Sequence, residues 1–195
     1  MIIVASVLRR MAEDSPQVKK VVEDYLEAVV PGIVGVDRRS VLGASLETLE
    51  FQQAVGDHTP VRFYAQSMSD GTLRALGVLV AAFQRSAARP GPALVGIEEP
   101  EAAVHPAAAA VLRDALAEAS RSRQVLVTTH SPDLLDDPDL DPQSILAVDN
   151  VNGATRVAQP DGAGLSALKD RLYTAGELLR AGQLIPGTNP ATSGP

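Results

Sequence analysis

The chain has 195 residues, enough for one domain with a sizeable core, and 45% of them are hydrophobic while only 3% are aromatic. Its formal charge of −7 argues against a basic surface for nucleic acid, and the absence of cysteine excludes disulfides, thiol nucleophiles and zinc–thiolate sites. No apolar run is long enough to span a bilayer, and the opening "MIIVASVLRRM" carries neither the leading positive charge nor the cleavage site of a secretory signal, so a cytoplasmic protein with no membrane partner is expected.

In chain order, "SPQVKKVVEDYLEAVVPG" (15–32) predicts a helix with Val18, Val21, Val22, Tyr25, Leu26 and Val29 on one face, opened by Ser15-Pro16 and stopped by Pro31-Gly32. "ASLETLEFQQ" and "TPVRFYAQ", on either side of "AVGDH", predict a two-stranded hairpin. "SDGTLRALGVLVAAFQRSA" reads as a buried helix because it is apolar on nearly every side from Ala75 to Phe83, and "ARPGP" breaks it. "ALVGI" (93–97) has the uninterrupted apolar character of a central parallel strand, and Pro106 suits the first position of a helix. "QVLVTT" (124–129) predicts a second buried strand. "SILAVD" and "ATRVAQ" predict two more, joined at Asn152-Gly153. A last helix is expected over "LSALKDRLYTAGELLRA", with Leu165, Leu168, Leu172, Ala175 and Leu179 on one side. The Pro/Gly/Ser/Thr-rich end, residues 185–195, is expected to be disordered.

The helix–strand–helix–strand order predicts an α/β fold with parallel strands flanked by helices, and a helical and hairpin subdomain over residues 1–65. In such sheets ligands gather beyond the carboxyl ends of the strands. Both polar clusters follow strand ends: "EEPEAAVHP" after Ile97, and "THSPD" after Val127 and Thr128. Glu98 and Glu99 repel one another unless they are solvated or face a cation. A strand that delivers acids to a sheet rim can hold magnesium through Glu98, while Glu99 activates water and His130 meets a phosphate. Alternatively, the residues form a solvated turn, with Glu101 and His105 as ordinary helix-start residues. A metal-dependent hydrolase using Glu98, Glu99, Glu101, His105 and His130 is a further alternative, although their spacing matches no common ligand pattern. Ser69 is placed to cap a helix whose first turn holds Asp70, Gly71 and Thr72, and such a start can present amides to an anion.

Together these stretches resemble the second half of an ABC-type ATPase domain of the soluble, non-transporter branch, which includes AAA-type core ATPases and RecF-, SMC- and overcoming-lysogenization-defect-like proteins. "SMSDGTLRA" is similar to the signature motif, "ALVGIEEPEAAVHP" to the Walker B strand, catalytic glutamate and D-loop, and "QVLVTTHSPDLLD" to the strand leading to the switch histidine. The resemblance spans roughly residues 66–149, with an ATPase core half expected over 66–184. It implies a P-loop NTPase-type fold with ATP as substrate and Mg2+ as cofactor. Glu98 takes the metal-associated position, Glu99 the general base and His130 the switch. Ser69 and Gly71 are implied to contact ATP held by a partner subunit in a homodimer, with Glu101 to His105 crossing the interface. The sequence departs from the pattern where Glu98 replaces the usual Asp, Asp70 replaces a glycine and His105 replaces an aspartate. No G-x-x-x-x-G-K-[ST] occurs: the lysines are Lys19, Lys20 and Lys169, and none follows a glycine. The missing phosphate-gripping half is therefore expected from a preceding segment or a separate chain. A catalytically inactive remnant serving as a regulatory interaction module is the competing reading. The process served, whether DNA repair, chromosome organisation or phage defence, is not written in these residues.

Overall fold

The computed structural model describes residues 2–40, 47–56, 58–85 and 91–188. They fall into two compact units, Met1–Thr129 and His130–Pro195. The first unit runs through residue 66 without a division.

In the first unit, α1 (Ile2–Asp14) and α2 (Pro16–Val29) precede an antiparallel sheet of β1 (Ile33–Ser40), β2 (Glu47–Gln53) and β3 (Val61–Tyr64), with β2 central. The predicted hairpin is β2–β3, paired from Glu50 opposite Tyr64 to Gln53 opposite Val61. Its tip includes Asp57, and its first strand was expected to begin at residues 44–46; all of these lie outside the described residues. Neither β1 nor α1 was anticipated from its residues. Strand β1 pairs along β2 from Ile33 to Ser40 with an irregularity between Ile33 and Gly35. Just beyond it the Val36 N–H donates to Glu23 Oε1 (3.0 Å), while Lys19 bridges Glu23 (2.6 Å) and Asp37 (3.1 Å). The polar side of α2 is thereby tied to β1.

Helix α2 begins with Pro16 in its first turn and buries Val18, Val22, Leu26 and Val29 of the predicted face, while Val21 and Tyr25 are half-buried at its margin. It packs against β1, α3 (Asp70–Phe83) and α4 (Ala109–Ser120). Leu8, Met11, Val22, Leu26, Val36, Leu49, Phe51, Leu76, Leu79 and Leu112 are fully buried where these elements meet. Tyr25 stacks on Phe83 with ring centroids 5.7 Å apart and donates its hydroxyl to Glu118 Oε2 at 2.7 Å.

Strands β4 (Leu94–Glu98) and β5 (Gln124–Thr128) pair in parallel and in register, Leu94 opposite Gln124 and Glu98 opposite Thr128, with α4 as the crossover. Parallel pairing agrees with the sequence, but neither strand is buried on both faces. Val95 and Ile97 face the core, while Leu94 and Leu126 are 54% and 53% exposed. Among the described residues, nothing pairs with the second edge of either strand.

The second unit contains an antiparallel hairpin, β6 (Ala147–Val151) and β7 (Ala154–Ala158), turning at Asn152 and Gly153 with φ of 53° and 82°. Two left-handed residues make the tight turn whose twist suits a hairpin, so Asn-Gly was a reliable signal. The expected last helix is two helices, α5 (Gly162–Lys169) and α6 (Ala175–Arg180). Arg171 breaks the chain with φ 53°, Leu172 is left 68% exposed, and Thr174 restarts it with a reciprocal cap to Glu177. Leu168, Ala175 and Leu178 pack with Ile145 in a small core. Residues 185–187 are bound into this unit: Asp161 N–H donates to the Ile185 carbonyl (3.0 Å), Gly187 N–H donates to that of Gln159 (2.8 Å), and Pro160 bridges Pro186. Residues 189–195, the rest of the expected tail, lie outside the described residues.

Burial, then the hydrogen bond to Glu118, pushes the Tyr25 phenol up to about 12. A phenol whose pKa is raised by folding stabilises the fold below its unfolded value near 10, and that contribution drains away as pH climbs towards 12. Tyr25→Phe is expected to lower stability by about 1 kcal/mol at neutral pH and to remove this alkaline loss, read by denaturant unfolding at pH 7 and pH 11.

Candidate functional site

The acidic pair sits where β4 ends. Glu98 is its last residue and is exposed; Glu99 follows with φ 44° and is half-buried. A positive φ is costly for a residue with a side chain, and Pro100, fully buried, narrows the choices of the residue before it. The turn is held from two sides. The Glu99 N–H donates to the Thr128 carbonyl at 2.7 Å, extending the β4–β5 ladder by one step. The Arg74 guanidinium, one turn into α3, donates to the carbonyls of Glu98 (2.8 Å) and Glu99 (2.9 and 3.2 Å). Arg74 thus grips the backbone of the turn.

The loop beyond it coils tightly. Ala102 N–H donates to the Glu99 carbonyl and Val104 N–H to that of Glu101, both at 3.0 Å, and Ala103 has φ 62°. Glu101 Oε1 accepts from the Thr129 hydroxyl at 2.5 Å, so this acid ties the loop to the end of β5. His105 Nδ1 accepts from the Ala107 N–H at 3.2 Å, capping the 3-10 turn Pro106–Ala108 that leads into α4. His105 thus has the local duty of a helix-start residue, whereas Glu101 makes a tertiary tie to the end of β5.

Ser69 caps α3 as its position predicts, its hydroxyl accepting from the Thr72 N–H at 3.1 Å. Gly71, in the first turn, is packed against the acidic loop. A Cβ at that position would lie 2.1 Å from the Ala103 carbonyl oxygen. Glycine is therefore required by the close approach of α3 to the loop, whatever its amide also binds. Ser69, Gly71, Glu98, Glu99, Glu101 and His105 thus belong to one contiguous region of the first unit. His130 is the first residue of the second unit, two positions beyond the end of β5. Arg74 and Thr129 were not singled out in the sequence. Arg74 is readable in hindsight as an arginine one turn after the Ser-Asp-Gly helix start.

Among the described residues, no three His, Asp or Glu side chains are grouped so as to hold a metal ion by themselves. The five-residue metal-hydrolase cluster that the sequence left open is not formed. The donor set does suit magnesium in a different manner: one exposed carboxylate at Glu98, the remaining positions being left to water and phosphate oxygens.

The model of the family described as "AAA domain, putative AbiEii toxin, Type IV TA system" matches residues 39–136, half of the chain. The chain belongs to this family. The matched span contains every candidate residue above, from Ser69 to His130. This AAA domain is also similar in fold to solved SMC heads. One is an SMC ATPase studied for ATP-driven dimerization and DNA-stimulated activation, at 15% identity over 80% of this chain and 90% of that one, with a TM-score of 0.52. The Smc head with coiled coil and joint from Pyrococcus yayanosii is 18% identical over 83% of this chain and 30% of that one, TM-score 0.52. An Smc head bound to the C-winged helix domain of ScpA is 16% identical over 72% and 41%, TM-score 0.52. This chain spans less than half the length of the latter two. Among curated proteins, none matches. The AAA domain is thus a P-loop-NTPase-type α/β domain of the nucleotide-handling ATPase class, and no helix among its described residues is long and apolar enough to cross a membrane.

Gly71→Ala is expected to destabilise the first unit by about 1–3 kcal/mol, because the added methyl must displace the Ala103 backbone. Thermal unfolding measures it. Arg74→Ala should leave α3 folded but speed amide hydrogen exchange at Ala102 and Val104 relative to the core of α3.

Proposed function

We propose that this chain is the Walker B, signature and switch half of a soluble, cytoplasmic, non-transporter ABC-type ATPase, and that it hydrolyses ATP when a phosphate-gripping segment completes the site and two copies close around the nucleotide. The observation that carries the reading is the turn at Glu98 and Glu99, held at the carboxyl end of a parallel strand with φ 44° at Glu99 and its carbonyls fixed by Arg74. Strain of this kind costs on the order of 1–3 kcal/mol and persists only where neighbouring contacts enforce it.

In this reading Glu99 accepts a proton from the attacking water as the water oxygen bonds to the γ-phosphorus and the bond to the bridging oxygen breaks. Glu98 holds magnesium through water; when bound, the ion neutralises charge on the phosphate oxygens. Ser69 and the first-turn amides of α3 face the γ-phosphate of ATP held by the other copy, with Asp70 turned aside. Glu101 to His105 line the interface between copies, and His130 hydrogen-bonds the terminal phosphate. The segment supplying the phosphate grip adds to the open edge of the β4–β5 pair. The exposed face bearing Leu94 and Leu126 would be covered by helices of that segment, since parallel sheets are ordinarily covered on both faces. An acidic chain gives no support for direct DNA contact, so a DNA-linked role, including repair, would be exerted through other parts of the assembly.

The competing reading, an inactive interaction module, draws on the lack of any glycine-lysine phosphate loop. The two are separated in the completed assembly. Glu99→Gln should lower phosphate release by roughly 100-fold or more while ATP-driven dimerisation, read by size-exclusion chromatography with light scattering, persists. Unchanged turnover in that variant removes Glu99 from the mechanism, and absence of turnover in every wild-type mixture favours the inactive module.

A further inference from the structure

A separate cavity of about 230 Å³ opens in the first unit between α2, the end of α3 and the turn that enters β5. Its apolar wall is made by Val18, Val21 and Phe83, and its basic wall by Arg85, Arg121 and Arg123. Arg123 directly precedes Gln124, the first residue of β5, and Glu98 is paired with Thr128 at that strand's far end. The cavity is therefore roughly 13 Å of strand away from the acidic turn and is distinct from it.

Arg123 is the unusual member. Its Nε and Nη1 are buried and have no hydrogen-bond partner among the described residues. Buried guanidinium donors are ordinarily paired, because a desolvated charge without an acceptor is expensive. Burial, and then the neighbouring charge of Arg85, pull its pKa below the ordinary value. The side chain is also hemmed in. A Cβ on Gly91 would lie 2.9 and 3.0 Å from its terminal nitrogens and 2.3 Å from the Gln84 carbonyl oxygen, so bare backbone passes directly over the guanidinium. The one acid in the lining, Glu118, accepts the Tyr25 hydroxyl, and none of the three arginines forms an ion pair among the described residues.

We infer that this cavity binds a phosphate group, held where Arg85, Arg121 and Arg123 line it together. Guanidinium groups match a tetrahedral oxyanion, and an anion would balance three cations that have no ion-pair partner among the described residues. The confined volume admits a small group and excludes a nucleic-acid duplex, which the charge of −7 also opposes. The phosphate is either free or carried on a small apolar body that lies along Val18, Val21 and Phe83.

Titration calorimetry of the full chain with inorganic phosphate and with phenyl phosphate tests this, with phenylacetate as the carboxylate control. Saturable binding of either phosphate at roughly millimolar affinity or tighter is expected, with amide chemical-shift changes at Gly91, Ser122 and Arg123 and none at Gly71 or Ala103. Tighter binding of phenyl phosphate identifies a phosphate ester as the ligand, and equal or tighter inorganic phosphate identifies the free ion. Arg123→Gln should weaken binding by at least about tenfold, as should Arg85→Glu at an exposed position, with circular dichroism confirming that both variants stay folded. Absence of saturation with both phosphates, wild-type binding by both variants, or equal affinity for phenylacetate overturns the assignment.

Discussion

Three hydrogen bonds from Arg74 to the carbonyl oxygens of Glu98 and Glu99 set the geometry on which the rest of the first unit's chemistry depends. A chain leaving a parallel strand normally continues in extended conformation. Here it reverses at once, through a residue with positive φ followed by a proline, which is locally unfavourable on both counts. The cost is offset by contacts from two separate elements: the ladder bond to Thr128 on β5 and the guanidinium on α3. Gly71 makes the second possible by letting α3 approach the Ala103 carbonyl closely. The helix start, the acidic turn and the end of β5 are therefore one mechanical unit, and movement of α3 would be felt at Glu99.

Two charged clusters stand at opposite ends of β5. At one end Glu98 and Glu99 are adjacent, and the Arg74 guanidinium hydrogen-bonds to their backbone carbonyls. At the other end Arg123 has two buried donors without acceptors among the described residues.

Much of this was legible in the sequence, for identifiable reasons. Ser69 reads as a cap because a short side-chain oxygen before a helix has few other uses. The β4 and β5 strands are visible as short apolar runs, and Asn152-Gly153 as a turn because few other pairs accept two positive φ values. What escaped was set by tertiary contacts. Strand β1 contains Gly35, Asp37, Arg38 and Arg39, a poor strand composition rescued by pairing along β2 and by Glu23. Helix α1 gave no start signal. The last helix breaks at Arg171 although its apolar period continues through Leu172, so period alone joined two helices that the chain separates. The exposure of Leu94 and Leu126 could not be read from residues whose apolar character fits a fully covered strand. Arg74 and Arg123 were ordinary arginines until their neighbours were known.

In the proposed function these residues supply the acids and the helix start of an ATPase site but not the grip on the triphosphate. Titration calorimetry of Mg-ATP against this chain alone is the decisive measurement. No saturable binding is expected at micromolar nucleotide, because the carboxylates repel the phosphates when nothing basic holds them. Micromolar Mg-ATP affinity that Glu98→Gln and Glu99→Gln alter would contradict it, by showing that this chain grips the nucleotide unaided.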